Sequence, residues 1–488
     1  MQKFLNSARL RALAFLAACL MPAAAFAQLP PALQKALARA GIPSEDVSVW
    51  ISPAGSNRPI VTHYAQRLMQ PASTVKIVTT LAGLDLLKAD YVWKTQIRAQ
   101  APVDARGVVR SVAIVGGGDP HLMTEQLWLM TEKLRQIGVR RIEGDIMVDR
   151  SAFGEPAVDP SSFDGASERA YNVGADAALV NFQTVSITIE PEENGKWAGV
   201  TSLPVLEGFS VPRRVALGRG ACGDWKTSLK ARFSDDGVRF EGAFPASCGV
   251  KALHVSRWKA DEYLTCALRP LLKSAGIDWR GRVREGDAGQ RGVRLLSWES
   301  APLPKVVSWI NKYSNNTMAR QLFLTLSSTD AEADKRPATL QRSRAVVVRW
   351  LEKAAGGVPE GTFIDNGSGL SRRTRISAET LGRVLNYGFN SAVMPEFAAS
   401  LPLAGYDGTM RKRPLRAGSA HVKTGFIRNV RSIAGYVTDI HARRWSVVVL
   451  MNGRKLAQDR VFSQAVLEWC ASGAVQPLTE IQERKKAR

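Results

Sequence analysis

The sequence predicts an α/β domain split by a large β-rich insertion. Three features carry that prediction: a strand and a helix near the start, a long middle stretch of short β-type runs, and a return of helices and alternating strands at the end. The 488 residues are 45% hydrophobic and 23% charged, which supplies more than one core and too little charge bias for disorder.

The first element is a leader. Lys3, Arg9 and Arg11 precede an apolar run from Ala12 to Phe26, which ends in Ala25-Phe26-Ala27 ahead of Gln28. That pattern predicts a secretory signal peptide over 1–27, removed after Ala27. Leu16-Ala17-Ala18-Cys19 offers a competing lipoprotein box that would leave Cys19 lipidated, but the apolar run continues past it. No other segment approaches the roughly eighteen apolar residues of a membrane span, so a soluble exported protein is expected. Of the remaining cysteines, Cys222 and Cys248 lie close together among Gly and Pro, and form the disulfide candidate in an oxidising compartment. The alternative keeps these two, Cys266 and Cys470 as free thiols.

In chain order, Val47, Val49 and Ile51 alternate as a half-buried strand, and Ser73 to Leu87 has helical spacing; together they mark a first part over 28–94. Residues 95–281 read as the insertion, with strands at Ser111–Val115 and Ser186–Glu190 and one helix at Glu125–Gln136. The second part, 282–488, predicts helices over Leu303–Leu326, Ala338–Ala355 and Ser377–Tyr387. Strands at Arg431–Val437 and Trp445–Leu450 and a helix at Gln458–Cys470 follow, and Glu483–Arg488 reads as a solvated end.

Lys and Arg number 66 against 44 Asp and Glu, a net charge of +22 that favours polyanions or anionic membranes. Nucleic acid is an unsuitable partner, since no binding motif is present and the chain is expected to be exported. His63, His121, His254, His421 and His441 lack paired metal-ligand spacing, so no metal is expected. Gly116-Gly117-Gly118 reads as a turn, because no phosphate-binding Gly-Lys-Ser/Thr follows.

The chemistry-bearing pattern begins at Ser73-Thr74-Val75-Lys76, where a hydroxyl and an amine three residues apart share one helix face. Val75, Ile77 and Val78 would desolvate Lys76 and lower its pKa, letting the amine activate the serine. A second copy, Ser256-Arg257-Trp258-Lys259, has Asp261 and Glu262 beside its lysine and reads as surface. The first copy is set apart by Ser314-Asn315-Asn316 and Lys423-Thr424-Gly425, which follow in order.

With these motifs the chain resembles the class C low-molecular-mass penicillin-binding proteins, D-alanyl-D-alanine carboxypeptidase/endopeptidases. The likeness extends to Gly116-Gly117-Gly118-Asp119-Pro120, to Asp365-Asn366-Gly367-Ser368-Gly369-Leu370-Ser371, to the segment from Leu401 to Thr409, and to the long gap between Ser73 and Ser314. The resemblance implies a serine transpeptidase/β-lactamase-like domain, helices around an antiparallel sheet, split by the insertion. It implies Ser73 as acylated nucleophile, Lys76 as its base and Ser314 as a proton relay. Asn316 would hold the substrate amide, Lys423 supply positive potential, and Thr424 bind the terminal carboxylate. The N–H groups of Ser73 and Phe426 would form the oxyanion hole, and Gly425 would let substrate lie along the strand. Peptidoglycan stem peptides and β-lactams are the implied partners, with no cofactor; the net charge adds an expected electrostatic association with an anionic wall or membrane surface, and the leader an expected periplasmic location. Phe426 stands where Ser or Thr is usual, which could narrow the cleft, and Arg320 where an acidic residue often follows the second motif. No residue of Ser161–Asn172 is assigned. A β-lactamase or esterase, or a cell-wall binder without turnover, are the alternatives.

Overall fold

Strand Arg444–Asn452 lies at the centre of a five-stranded antiparallel sheet in a computed structural model that describes residues 29–155, 158–288, 292–330 and 337–475. Its neighbours are Val430–Thr438 and then Ala420–Ile427 on one side, and Val47–Pro53 and then Val61–His63 on the other. The leader, the Cys19 box, Gln28 and the tail Glu483–Arg488 lie outside the described residues.

Successive side chains of the central strand enter two different cores. Val447, Val449 and Met451 pack with the helices Pro31–Ala40 and Asp459–Ala471, while Val448 and Leu450 pack with a helical layer on the other face. A strand covered on both faces has a continuous apolar run. Val47–Pro53 is covered in the same way, which corrects its reading as half-buried: Trp50 enters the helical layer, and Ser48 and Ser52 are fully buried. Their hydroxyls are satisfied, Ser48 donating to the Tyr64 carbonyl (2.9 Å) and Ser52 accepting from Asn386 Nδ2 (3.1 Å).

At the middle of the helical layer runs Lys76–Leu87, entered through a 3-10 turn at Ala72–Val75; every residue from Lys76 to Leu84 is buried. Leu303–Tyr313 and Asn316–Thr325 pack on it. Between those two, Ser314 takes a left-handed conformation (φ +57°) and Asn315 caps the second helix by accepting from Met318 N (2.9 Å).

The inserted elements form their own core around Ile97, Ile114, Leu134, Ile187 and Leu268. One sheet orders Val283–Glu285, Ile146–Asp149, Ala113–Val115, Lys94–Ala99 and Val293–Glu299, so the expected boundary at Gly281/Arg282 falls inside it. Those late strands carry many exposed residues and lack clear alternation, which hid their pairing. The middle region also holds a second long helix, Ala260–Ser274, obscured in sequence by Pro270. A disulfide joins Cys222 to Cys248; Cys266 and Cys470 are free.

Candidate active site

Four elements converge on Ser73: its own turn, the break at Ser314, the edge strand Ala420–Ile427 and the loop Asp365–Ser371. Ser73 is half-buried where the 3-10 turn meets the helix, and Lys76 is one turn inside with no solvent exposure. Lys76 Nζ donates to Ser73 Oγ (3.0 Å), to Asn316 Oδ1 (2.7 Å) and to the Ser368 carbonyl. Burial, then the charges of Lys423 and Arg320, hold its pKa well below a lysine's usual value. An amine in that state accepts a proton from a neighbouring hydroxyl far more readily than a solvated ammonium can.

The second amine serves another hydroxyl. Lys423 is fully buried on the edge strand and donates to Ser314 Oγ (2.9 Å) and to the Thr424 carbonyl (3.0 Å). Burial lowers its pKa to about 7. Thr424, half-exposed, donates from Oγ1 to Thr409 Oγ1 (2.8 Å). Two serines and two lysines thus form two hydrogen-bonded pairs, with Asn316 bonded to the first pair.

Glycines permit the close approach. A Cβ on Gly425 would stand 2.2 Å from Ser432 Oγ and 2.9 Å from Ser73 N, and one on Gly369 (φ +81°) would stand 2.0 Å from the Ala72 carbonyl oxygen. Phe426 is 70% exposed, and the Arg431 guanidinium lies 3.8 Å from its ring centre, so its bulk is at the rim of the strand edge.

The inserted region supplies one wall. Phe163 packs against Ala72, Leu370, Ile427 and Val430, the Tyr171 carbonyl accepts from Asn316 Nδ2 (3.4 Å), and the Val173 carbonyl accepts from Thr317 Oγ1 (3.1 Å) and Arg320 Nη1 (2.9 Å). Phe163, Tyr171, Ser368 and Thr409 carry no role that the sequence predicts; Ser368 and Thr409 stand inside recognisable motifs, whereas nothing local marks the other two. Arg320, noted only as a departure, is buried with its pKa lowered to about 10 and adds positive potential at Lys76.

The second Ser-x-x-Lys lies elsewhere. Lys259 is exposed, but Ser256 is buried, which corrects its reading as surface; its N–H donates to the Glu168 carbonyl (3.0 Å). Among the described residues no hydrogen bond joins the two side chains.

The D-Ala-D-Ala carboxypeptidase 3 (S13) family matches residues 29–472. A D-alanyl-D-alanine carboxypeptidase of Actinomadura sp. (strain R39) is 28% identical over 391 residues, covering 75% of this chain and 70% of that one. D-alanyl-D-alanine carboxypeptidase DacB of Haemophilus influenzae is 24% identical over 413 residues, covering 81% and 83%. The crystal structure of penicillin binding protein 4 from Haemophilus influenzae superposes with a TM-score of 0.71 at 21% identity, over 90% of this chain and 99% of that one. A predatory endopeptidase of Bdellovibrio bacteriovorus, solved acylated by penicillin G with an immunity protein, superposes with a TM-score of 0.51 at 14% identity, over 88% and 95%. These two likenesses concern the fold.

Proposed function

Because the chain belongs to the D-Ala-D-Ala carboxypeptidase 3 (S13) family, we propose that it is a serine-type D-alanyl-D-alanine carboxypeptidase that also cleaves peptide cross-links, through an acyl-enzyme on Ser73. The observation that carries this reading is the buried contact of Lys76 Nζ with Ser73 Oγ at 3.0 Å. Lys76, its charge disfavoured, takes the serine proton as Oγ attacks the carbonyl of the penultimate D-Ala. The tetrahedral oxyanion is held by the N–H groups of Ser73 and Phe426; losing one such donor costs about 2.7–4 kcal/mol of transition-state stabilisation. Ser314, hydrogen-bonded to Lys423, relays to the leaving amine the proton that Lys76 took from Ser73, so that its own hydroxyl is restored and Lys76 is neutral again before water attacks. Collapse expels D-Ala or the cross-linked residue, and water then hydrolyses the ester. Asn316 orients the substrate amide, and Thr424 with the Lys423 charge receives the leaving residue's carboxylate.

β-Lactams enter by the same route and leave the serine acylated. The enzyme works in the periplasm after removal of residues 1–27, which takes away Lys3, Arg9 and Arg11 and leaves a net charge of +19 that favours anionic wall or membrane surfaces. Digestion of purified muropeptides, with all products identified, tests the reading. Loss of terminal D-Ala together with cleavage of dimers supports it. Retention of substrate without product would favour a binder, and rapid turnover of penicillin alone a β-lactamase.

A further inference from the structure

Three segments far apart in sequence bring cations to one face beside the reacting groups. Residues 411–416 follow Thr409, whose hydroxyl meets that of Thr424, and expose Arg411 and Lys412, whereas Arg416 donates to the Thr438 and Asp439 carbonyls at the far end of strand Val430–Thr438. The turn after strand Ala420–Ile427 exposes Arg428. In the same turn the Asn429 carbonyl accepts from Gly453 N (3.1 Å), which sets exposed Arg454 and Lys455 alongside. Helix Asp459–Ala471 joins these pieces. Arg413 donates to Ser463 Oγ (3.4 Å), Gln464 Nε2 donates to the Pro414 carbonyl (2.7 Å), and Arg460 is exposed on the helix's first turn.

The charge on this face is unbalanced. Cations outnumber carboxylates there: Asp459 is the sole acidic residue within 411–416, 428–431 and 454–460 and pairs with Arg431 (3.4 Å) under the Phe426 ring, and one further carboxylate, Asp46, stands against Gly453 beside Arg454. Among the described residues no ion pair holds Arg411, Lys412, Arg428 or Arg454. Arg413 is disfavoured as a cation first by burial and then by the charge of Arg460. Like charges held together by a fold repel each other, and a bound polyanion relieves that repulsion.

We infer that this face docks the carboxylate-rich stem peptides of the peptidoglycan polymer while a neighbouring stem occupies the edge from Thr424 to Phe426; the inference rests on the function proposed above. The occupant follows from position and charge. Both ends of the face are continuous with the strand edge that receives substrate, through Thr409 to Thr424 and through Arg431 to Phe426. A polymer that repeats an acidic peptide presents further carboxylates close to the engaged one. The face therefore acts on the polymer and leaves a short soluble peptide unaffected.

The test uses the full mature chain carrying Arg411→Gln, Lys412→Gln, Arg454→Gln and Lys455→Gln, all exposed positions outside the reacting groups. Co-sedimentation with purified sacculi across a salt series, and turnover of a soluble peptide ending in D-Ala-D-Ala, are measured for both proteins. Expected is about a tenfold loss of sacculus affinity at low salt, a flatter salt dependence and unchanged soluble-peptide turnover. Unchanged sacculus affinity and salt slope would overturn the inference. So would a variant that keeps sacculus binding but loses binding to phosphatidylglycerol vesicles, since the face would then serve a membrane. Absence of soluble-peptide turnover by the unaltered protein would count against the proposed function instead, and sacculus binding would still decide the docking face.

Discussion

Lys76 Nζ lies 3.0 Å from Ser73 Oγ, and the lysine has no solvent exposure. A base in that position predicts that Lys76→Ala loses acylation by peptide and by β-lactam alike, by roughly 10²–10⁴-fold. Second-order acylation rates with both substrates measure it; loss with the peptide alone would assign the lysine to substrate binding.

Lys423 is predicted to give the enzyme an alkaline limb. Its pKa of about 7 means that the ammonium attracting a substrate carboxylate is lost as pH rises through that value. Acylation by a carboxylate-bearing penicillin should therefore decline above about pH 7, whereas the penicillin's methyl ester should lack that decline. Lys423→Arg keeps its charge and moves the limb to far higher pH. A pH–rate series for both proteins and both compounds is the check, and identical profiles would contradict the assignment.

The same burial predicts a stability cost. Between about pH 7 and the unfolded value of 10.5, folded Lys423 binds fewer protons than the unfolded chain. Its presence therefore destabilises the fold at neutral pH, and the penalty shrinks as pH rises toward 10.5. Lys423→Met should raise the melting temperature near neutrality, by a margin that narrows with alkalinity. A lower melting temperature independent of pH would show that the Ser314 hydrogen bond outweighs desolvation.

For the insertion, the Cys222–Cys248 bridge spans a sequence separation of 26, which in a loop-entropy account stabilises it by about 3.5 kcal/mol. Replacing both cysteines with Ser should lower the denaturant midpoint of the inserted region, read by hydrogen exchange of strands Leu229–Ser234 and Gly237–Gly242. Soluble-peptide turnover at low temperature should persist. Unchanged exchange would show that the hairpin's stability does not depend on the bridge.

Legibility in the sequence followed how local each signal is. The run Val447 to Met451 and the spacing in Leu340–Ala355 name their elements through one periodicity. Ser48 and Ser52 misled because polar residues on a strand resemble a solvent face until the partners that satisfy them, Tyr64 and Asn386, are seen. Strands Val283–Glu285 and Val293–Glu299 belong to the inserted sheet only through pairing with distant segments. The same division holds at the site. Ser73 and Lys76 are one helical turn apart, so their contact could be read from spacing. Phe163 against Ala72 depends on how the insertion folds back, and Arg320 near Lys76 on how the helix Asn316–Thr325 packs on Lys76–Leu87, neither of which a local pattern encodes.

The most direct test of an acyl-enzyme on Ser73 is to label the protein with fluorescent penicillin, digest it and map the modified peptide. One labelled residue, Ser73, and no label on Ser73→Ala are the expected results. Label on Ser256, whose side chain has no hydrogen bond to Lys259 among the described residues, or full labelling of Ser73→Ala, would contradict it.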